Sequence, residues 1–476
     1  MALSFQRYMQ PDRNSQLIQF LKERSEKERG CRSMGIVNAS RYCPDEGLII
    51  EILSWLPVKC LLQYKSVCKS WHAIISSPDF ISKHLNNYYR RNNDDDHGGG
   101  VFLAQYNLDT YYLQSFVMVV DETPRVLAHE DMVDMPMYSS HICGPCDGLY
   151  YLYHYFDGKR GLWNPAINEL RVLPPLVTKS DSLINPDNRA GEVYGFGFDS
   201  LSTDYKVVVI KRYWSRTIER RSNEIPQSVN VYSLKNDCWK YCGDLGRYYE
   251  LCYSETNRWY NFVSGCGCCY WMESDYEYDY NKTCDAIICF NLATDGFEEI
   301  NLPNYEQPAS SKCLGIYDDS LGFLSVHRET NRFEVWTLKE STWSLKFRIR
   351  PFPTGLSPVG HWKDNKLILE LDYWKLALFD AESQDIKDLS FEYSKPCCGI
   401  FECRESLVSV KGDRNWDQGD EEDYTAAEST LEMIIESDSE YGIRELFCCE
   451  MSDESDSEFG IQDLFRCETS ESNSEY

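Results

Sequence analysis

The chain has 476 residues, of which 42% are apolar and 26% charged, and 76 acidic against 48 basic side chains leave a net charge of −28. That length accommodates two or more domains, and the acidic balance disfavours nucleic-acid or anionic-membrane binding, which needs basic surface. The 21 cysteines are an odd number without the paired spacing of small secreted scaffolds, so a reducing, cytoplasmic compartment with access to the nucleus is expected, and most cysteines should be small buried hydrophobes.

Residues 1–40 are polar, with one weak helical pattern around 14–28, and read as a mobile arm. The opening "MALSFQRYMQPDRNSQLIQF" lacks the apolar run of a secretory signal. No window approaches the ~18 uninterrupted apolar residues of a membrane span.

Residues 41–88 read as compact helices. Pro44 suits a first helical turn, where its missing N–H costs nothing, and Asp45 and Glu46 complement the helix dipole. Leu48, Ile49, Ile52, Leu53 and Leu56 then fall on one face. Pro57 stops that helix and starts a second, carrying Leu61, Leu62 and Val67; Trp71, Ile74 and Ile75 line a third, which Pro78 ends. Such a unit is too small to stand alone comfortably and should bury its remaining apolar surface against another protein. The stretch 89–100, with "RRNNDDDHGGG", reads as a linker.

From 101 to 411 the texture changes to short aromatic and β-branched runs broken by Gly, Asp, Asn and Pro, which is strand composition. "GLWNPAINELRVLPP" (161–175), "VNVYSLKNDCWKY" (229–241), "IICFNLATDGFEEINLP" (287–303), "FEVWTLKESTWSLKF" (333–347) and "LALFDAESQDIKDLSF" (376–391) share one design: apolar strand, polar turn, second strand. Further strands lie between the copies. That spacing predicts a kelch-like β-propeller, with strands at 101–104 and 116–120 pairing with 399–410 to close a sixth blade. A two-sheet sandwich is the alternative, and it leaves the repeat unexplained.

Two cysteine motifs invite chemistry. "CGPC", Cys143 to Cys146, is a thioredoxin-type tetrapeptide, and its redox use requires a helix N-terminus to stabilise the thiolate. The following "DGLYYLYHYF" predicts a tight turn into a strand instead. "CGCC" (266–269) has no histidine within reach in sequence, and strand alternation sends Cys268 and Cys269 to opposite faces. Neither a cofactor nor a metal site is expected.

The stretch 43–85 resembles an F-box, through Pro44, Ile52-Leu53, Leu56-Pro57, "VCKSW" (67–71) and "SPDF" (77–80), with Cys43 standing where that family usually has Leu. The resemblance implies docking on a Skp-type adaptor, and through it on cullin and RING subunits of a ubiquitin ligase. It would put the contact on Pro44, Leu48, Ile52, Leu53, Leu56, Pro57, Leu61, Val67 and Trp71. "GPCDGL" (144–149), "WNPAINELRVLPP" (163–175), "YGFGFDSLSTDYKVV" (194–208) and "VNVYSLKNDCWK" (229–240) resemble plant F-box-associated domains, and among them the S-locus F-box proteins of pollen. This implies a non-catalytic subunit that holds a protein substrate for ubiquitination, with a basic, non-self pistil ribonuclease as the substrate. A plant F-box protein with a hormone, defence or developmental target is the alternative. A propeller enzyme and a thiol–disulfide oxidoreductase using Cys143 and Cys146 are alternatives of another class.

Two long insertions, 179–193 and 273–285, are candidate substrate loops. The second holds five acids against one Lys, and its Asp275, Tyr276, Glu277, Tyr278, Asp279 and Tyr280 combine ring area with negative charge, suiting a basic protein. The tail, 412–476, is expected to be disordered; residues 413–476 hold 21 acids against three Arg, a net of −18. Its "ESDSEYGIRELFCCE" and "ESDSEFGIQDLFRCE" repeat at a period of 18. The repeats read either as a solubilising tail or as a docking segment built on Ile443, Leu446 and Phe447 and tuned by phosphorylation of Ser437, Ser439, Ser455 or Ser457.

Overall fold

The computed structural model describes the chain between residues 46 and 411, except for 93–98, 108–111, 121–124, 127–140 and further loop segments between 155 and 404. The arm, Pro44 and the whole tail, with Ser437, Ser439, Ser455 and Ser457, lie outside the described residues.

Four helices open the described chain, one more than expected: α1 (Glu46–Leu53), α2 (Val58–Tyr64), α3 (Lys69–Ser76) and α4 (Pro78–Asn92). Pro78 follows the end of α3 as expected, but it also begins α4, where a proline's missing N–H and fixed φ suit the first turn. Ser77 serves both helices: its backbone N–H bonds Ile74 O at 3.0 Å, and its hydroxyl accepts from Phe80 N–H at 3.3 Å. The stretch expected as a linker is therefore helical up to Asn92 and strand from Gly99.

Beyond the helices, the described regular structure is β-strand in six four-stranded antiparallel sheets. One joins β1 (Gly99–Asn107), β2 (Tyr112–Val120) and β3 (Arg125–Val126) to the last strand, β24 (Cys397–Cys403). Next come β4 (His141–Cys146), β5 (Leu149–Tyr153), β6 (Arg160–Asn164) and β7 (Glu169–Val172). The third holds β8 (Asn188–Asp199), β9 (Asp204–Ser215), β10 (Ser228–Ser233) and β11 (Cys238–Asp244). The fourth holds β12 (Phe262–Gly265), β13 (Cys268–Met272), β14 (Ala286–Asn291) and β15 (Gly296–Asn301). The fifth holds β16 (Ser311–Tyr317), β17 (Ser320–His327), β18 (Arg332–Lys339) and β19 (Thr342–Ile349). The last holds β20 (Ser357–Trp362), β21 (Lys366–Leu371), β22 (Lys375–Asp380) and β23 (Ile386–Glu392). The innermost strands β24, β4, β8, β12, β16 and β20 touch in that cyclic order, which makes the region a propeller and rules out the sandwich.

The five sequence copies are the third and fourth strands of five sheets: β6–β7, β10–β11, β14–β15, β18–β19 and β22–β23. Third strands are flanked on both sides, so β10 and β14 are buried almost throughout, whereas the outer β11 and β15 face solvent on much of their length. That contrast explains the apolar-then-mixed texture of each copy.

Residues 101–104 pair with β2 and with β24, Val101 opposite Glu402 and Leu103 opposite Ile400. The C-terminal partner is shorter than expected, since 405–410 leave the sheet. Of the insertion 179–193, residues 188–193 are the start of β8. The acidic insertion 273–285 joins β13 to β14 and lies outside the described residues.

Neighbouring sheets meet closely. A Cβ on Gly195 of β8 would fall 2.8 Å from Cys269 Sγ and 2.9 Å from a Trp271 ring carbon, while the Trp271 indole N–H donates to Tyr194 O at 3.0 Å. Gly195→Ala should therefore destabilise the propeller by about 1–3 kcal/mol through overpacking. Urea unfolding followed by tryptophan fluorescence measures it, and an unchanged midpoint would mean the two sheets can move apart.

Candidate functional site

The helical unit has a buried and an exposed apolar face. Leu53, Leu56, Val58, Leu61, Tyr64, Ile75 and Phe80 form its core. Helix α4, unseen in the sequence, clamps the turn between α1 and α2: His84 Nε2 lies 2.9 Å from Leu56 O, and Asn87 Nδ2 donates to Ser54 Oγ at 2.8 Å. The end of α3's approach is fixed by Cys68, whose sulfur accepts from Trp71 N–H, and by an edge-on contact of Trp71 with Tyr64 at 5.4 Å.

The residues assigned to adaptor contact divide accordingly. Leu53, Leu56 and Leu61 are core side chains, at most 9% exposed, and offer no surface. Pro57, Val67 and Trp71 are half-buried. Leu48 and Ile52 are 54% and 42% exposed, and beside them stands Trp55, 38% exposed, which the motif reading passed over. Its indole N–H donates to Glu51, which also pairs with Lys83 of α4. A one-dimensional pattern assigns all apolar positions to one stripe. On a helix as short as α1 the stripe spans both faces, and only the packing of α2 and α4 separates them.

The "CGPC" motif sits in the β4–β5 hairpin. Its register slips between Cys143 and Cys146, and the turn runs through Asp147 and Gly148 with φ of 50° and 79°. Gly144 has φ 125°, and a Cβ there would meet Leu149 O at 2.8 Å. Cys143 is buried, and burial pushes its thiol up to about 12, opposite to what thiolate chemistry needs. Cys268 and Cys269 join different core clusters across their sheet, as alternation requires.

The two edges of the propeller differ. Tyr205–Asp147, Lys206–Leu292 O and Lys240–Asp295 contacts mark the edge of the first–second and third–fourth strand turns, which span two to five residues. Ala166 and Ile167, in a third–fourth strand turn, pack on the helical core, so the helices sit on this edge. The strand ends joined by 216–227, 245–261, 273–285 and 173–187 lie at the other edge, where Arg160 pairs with Glu192 across two sheets. Both insertions singled out in the sequence start from that far edge. Tyr276, Tyr278, Tyr280, Asp275, Glu277 and Asp279 themselves lie outside the described residues.

Residues 43–83 match the F-box domain, and residues 101–359 match the F-box associated beta propeller domain. The chain belongs to the plant F-box proteins that carry this propeller. F-box protein CPR1 of Arabidopsis thaliana is 27% identical over 401 residues, covering 77% of this chain and 89% of that protein. An F-box/kelch-repeat protein of the same plant is 24% identical over 371 residues, 76% of this chain and 92% of the relative. An F-box/WD-40 repeat-containing protein, 26% identical over 302 residues, covers 61% and 63%. As an F-box protein the chain is a non-catalytic ligase adaptor, and its F-box implies binding of a Skp-type partner.

Two outcomes are expected. Leu53→Ala should cost about 2–5 kcal/mol of stability, whereas Leu48→Ala should stay within about 0.5 kcal/mol; thermal unfolding of the full chain separates the two. Cys143 should react with iodoacetamide at pH 8 at least tenfold more slowly than a free thiol in a peptide, since burial both raises its thiol and shields the sulfur. Peptide mass mapping over time measures it, and a rate matching the peptide's would place Cys143 at the surface.

Proposed function

We propose that the chain is the substrate-recognition subunit of an SCF-type cullin–RING ubiquitin ligase. Leu48 and Ile52 of α1 and Trp55 of the turn after it take the Skp-type adaptor, with Pro44, Pro57, Val67 and Trp71 at the border of the contact. The six sheets act as six kelch-like blades, and the edge remote from the helices takes a protein substrate. One observation carries this reading: within an F-box match, three large apolar side chains stay in solvent, two on a helix whose other face is core and one in the turn that follows it. Burying each at an interface is worth roughly 1.5–3 kcal/mol before the costs of association. The 21 cysteines, without the paired spacing of secreted scaffolds, suit the proposed cytoplasmic site of action, with access to the nucleus.

For the substrate we propose a basic protein, held in part by Asp275, Tyr276, Glu277, Tyr278, Asp279 and Tyr280. A pistil ribonuclease is the candidate carried by the S-locus resemblance of the sequence motifs. The relatives reported above support only the broader plant family, which keeps a hormone, defence or developmental target as the second reading.

Leu48→Asp with Ile52→Asp in the full chain should lower affinity for a purified plant Skp-type adaptor at least 100-fold without moving the unfolding temperature, measured by calorimetry. Undiminished binding would displace the contact from α1. Neutralising Asp275, Glu277 and Asp279 should weaken binding of a basic ribonuclease and flatten its salt dependence together. Binding that keeps both would clear that insertion of the role.

A further inference from the structure

The segment Glu405–Lys411 belongs to no sheet, yet Ser406 and Val410 are fully buried and Leu407 is 3% exposed. Its side chains and backbone divide between two neighbours. Toward the helices, the Glu405 carboxylate accepts the Val58 N–H at 3.0 Å, at the start of α2, where first-turn N–H groups lack helical partners. The Leu407 side chain enters the same core as Leu53, Leu56 and Leu61.

Toward the sheet β4–β7, the Asn164 amide donates to the carbonyls of Ser406 and Val408 at 3.1 and 2.8 Å. The Glu169 carboxylate accepts from the Ser409 hydroxyl at 2.7 Å and from Val410 N–H at 3.1 Å. Val410 packs in the core formed by this sheet and its neighbour. Each module thus takes both hydrogen bonds and an apolar anchor from the segment.

Between Asn92 and Gly99 the two modules are also joined covalently. The segment 405–410 supplies a second, non-covalent attachment at the same edge. The helical core is itself completed by Leu407 and by Ala166 and Ile167 of the β6–β7 turn.

We propose that Glu405–Val410 is a strap that fixes the F-box helices to the propeller in one orientation, with Glu405 and Leu407 as positioning residues. Its consequence rests on the ligase reading: a fixed orientation restricts which substrate surface the docked ligase can reach.

The test uses the full chain with residues 405–410 replaced by alternating Gly and Ser, and beside it Glu405→Ala and Glu405→Gln. Spin labels on non-natural residues at Ser82 of α4 and Leu201 of the β8–β9 turn, both exposed, report the distance between modules. Hydrogen exchange reports each element. Replacing the strap should broaden the distance distribution and speed exchange in α1 and α2 at least tenfold, while the sheets from β8 to β19 keep their protection. Glu405→Ala should move both readouts in the same direction, less far, and Glu405→Gln should restore them, because an amide oxygen still accepts the Val58 N–H. An unchanged distance distribution would overturn the proposal. So would loss of protection spread over the sheets, which would make 405–410 a part of propeller stability and not of positioning. No ligase component enters this experiment, so its failure leaves adaptor docking untouched, and failed docking leaves the strap untouched.

Discussion

Everything in this molecule depends on the ladder between β1 and β24. A strand at a sheet edge presents a row of unpaired N–H and C=O groups, and a ring of sheets opened at one joint would leave such an edge. Pairing Gly100–Gln105 with Cys397–Cys403 completes the sheet from the two ends of the β region. The same pairing decides what comes together elsewhere. β1 begins and β24 ends at one edge, so the chain arriving from α4 and the chain leaving toward 405 meet there. The helices, the strap and the short turns share that edge as a consequence, and the long connections are left to the other.

The helical unit shows how little apolar surface such a small module can hide by itself. Its core borrows Leu407 from beyond the last strand and Ala166 and Ile167 from a propeller turn. Helix α4 adds polar clamps, His84 to Leu56 O and Asn87 to Ser54, at carbonyls of the α1–α2 turn that burial takes away from water. With those needs met internally, Leu48, Ile52 and Trp55 remain as surface. The division of labour is physical: side chains that complete the core cannot also be a docking face.

Polar groups inside the propeller are paired in the same economical way. Asp199 accepts from Ser202 and from the backbone N–H groups of Leu201 and Ser202, and it pairs with Lys206. Burial alone would raise its carboxyl, but these bonds outweigh burial and hold it near 2, so it stays charged in a tight turn. Asn164 and Asn291 bond the backbone of their turns in the same manner, which is why the sequence copies keep short polar residues after each apolar strand.

The sequence alone determined the local events: the strand texture after residue 101, the five hairpins with their polar turns, the start of the second helix after Pro57 (the first already ends at Leu53), and a turn rather than a helix after Cys146. Each is set by neighbours a few residues away, through fixed proline φ, positive φ at Asp147 and Gly148, and alternation of apolar positions. Only the tertiary structure decided which apolar side chains became core and which became surface: Leu53 joins the core that the other helices, Leu407 and a propeller turn complete, while its neighbour Ile52 stays exposed. It decided the fate of 405–410 as well. "ESLVSV" has strand composition, which predicts a place in the closing sheet, but Glu405 bonds the Val58 N–H and Leu407 joins the helical core, both contributed by residues far earlier in the chain. Pattern within a segment carries no information about such partners, and competition among distant contacts settles where the segment lies.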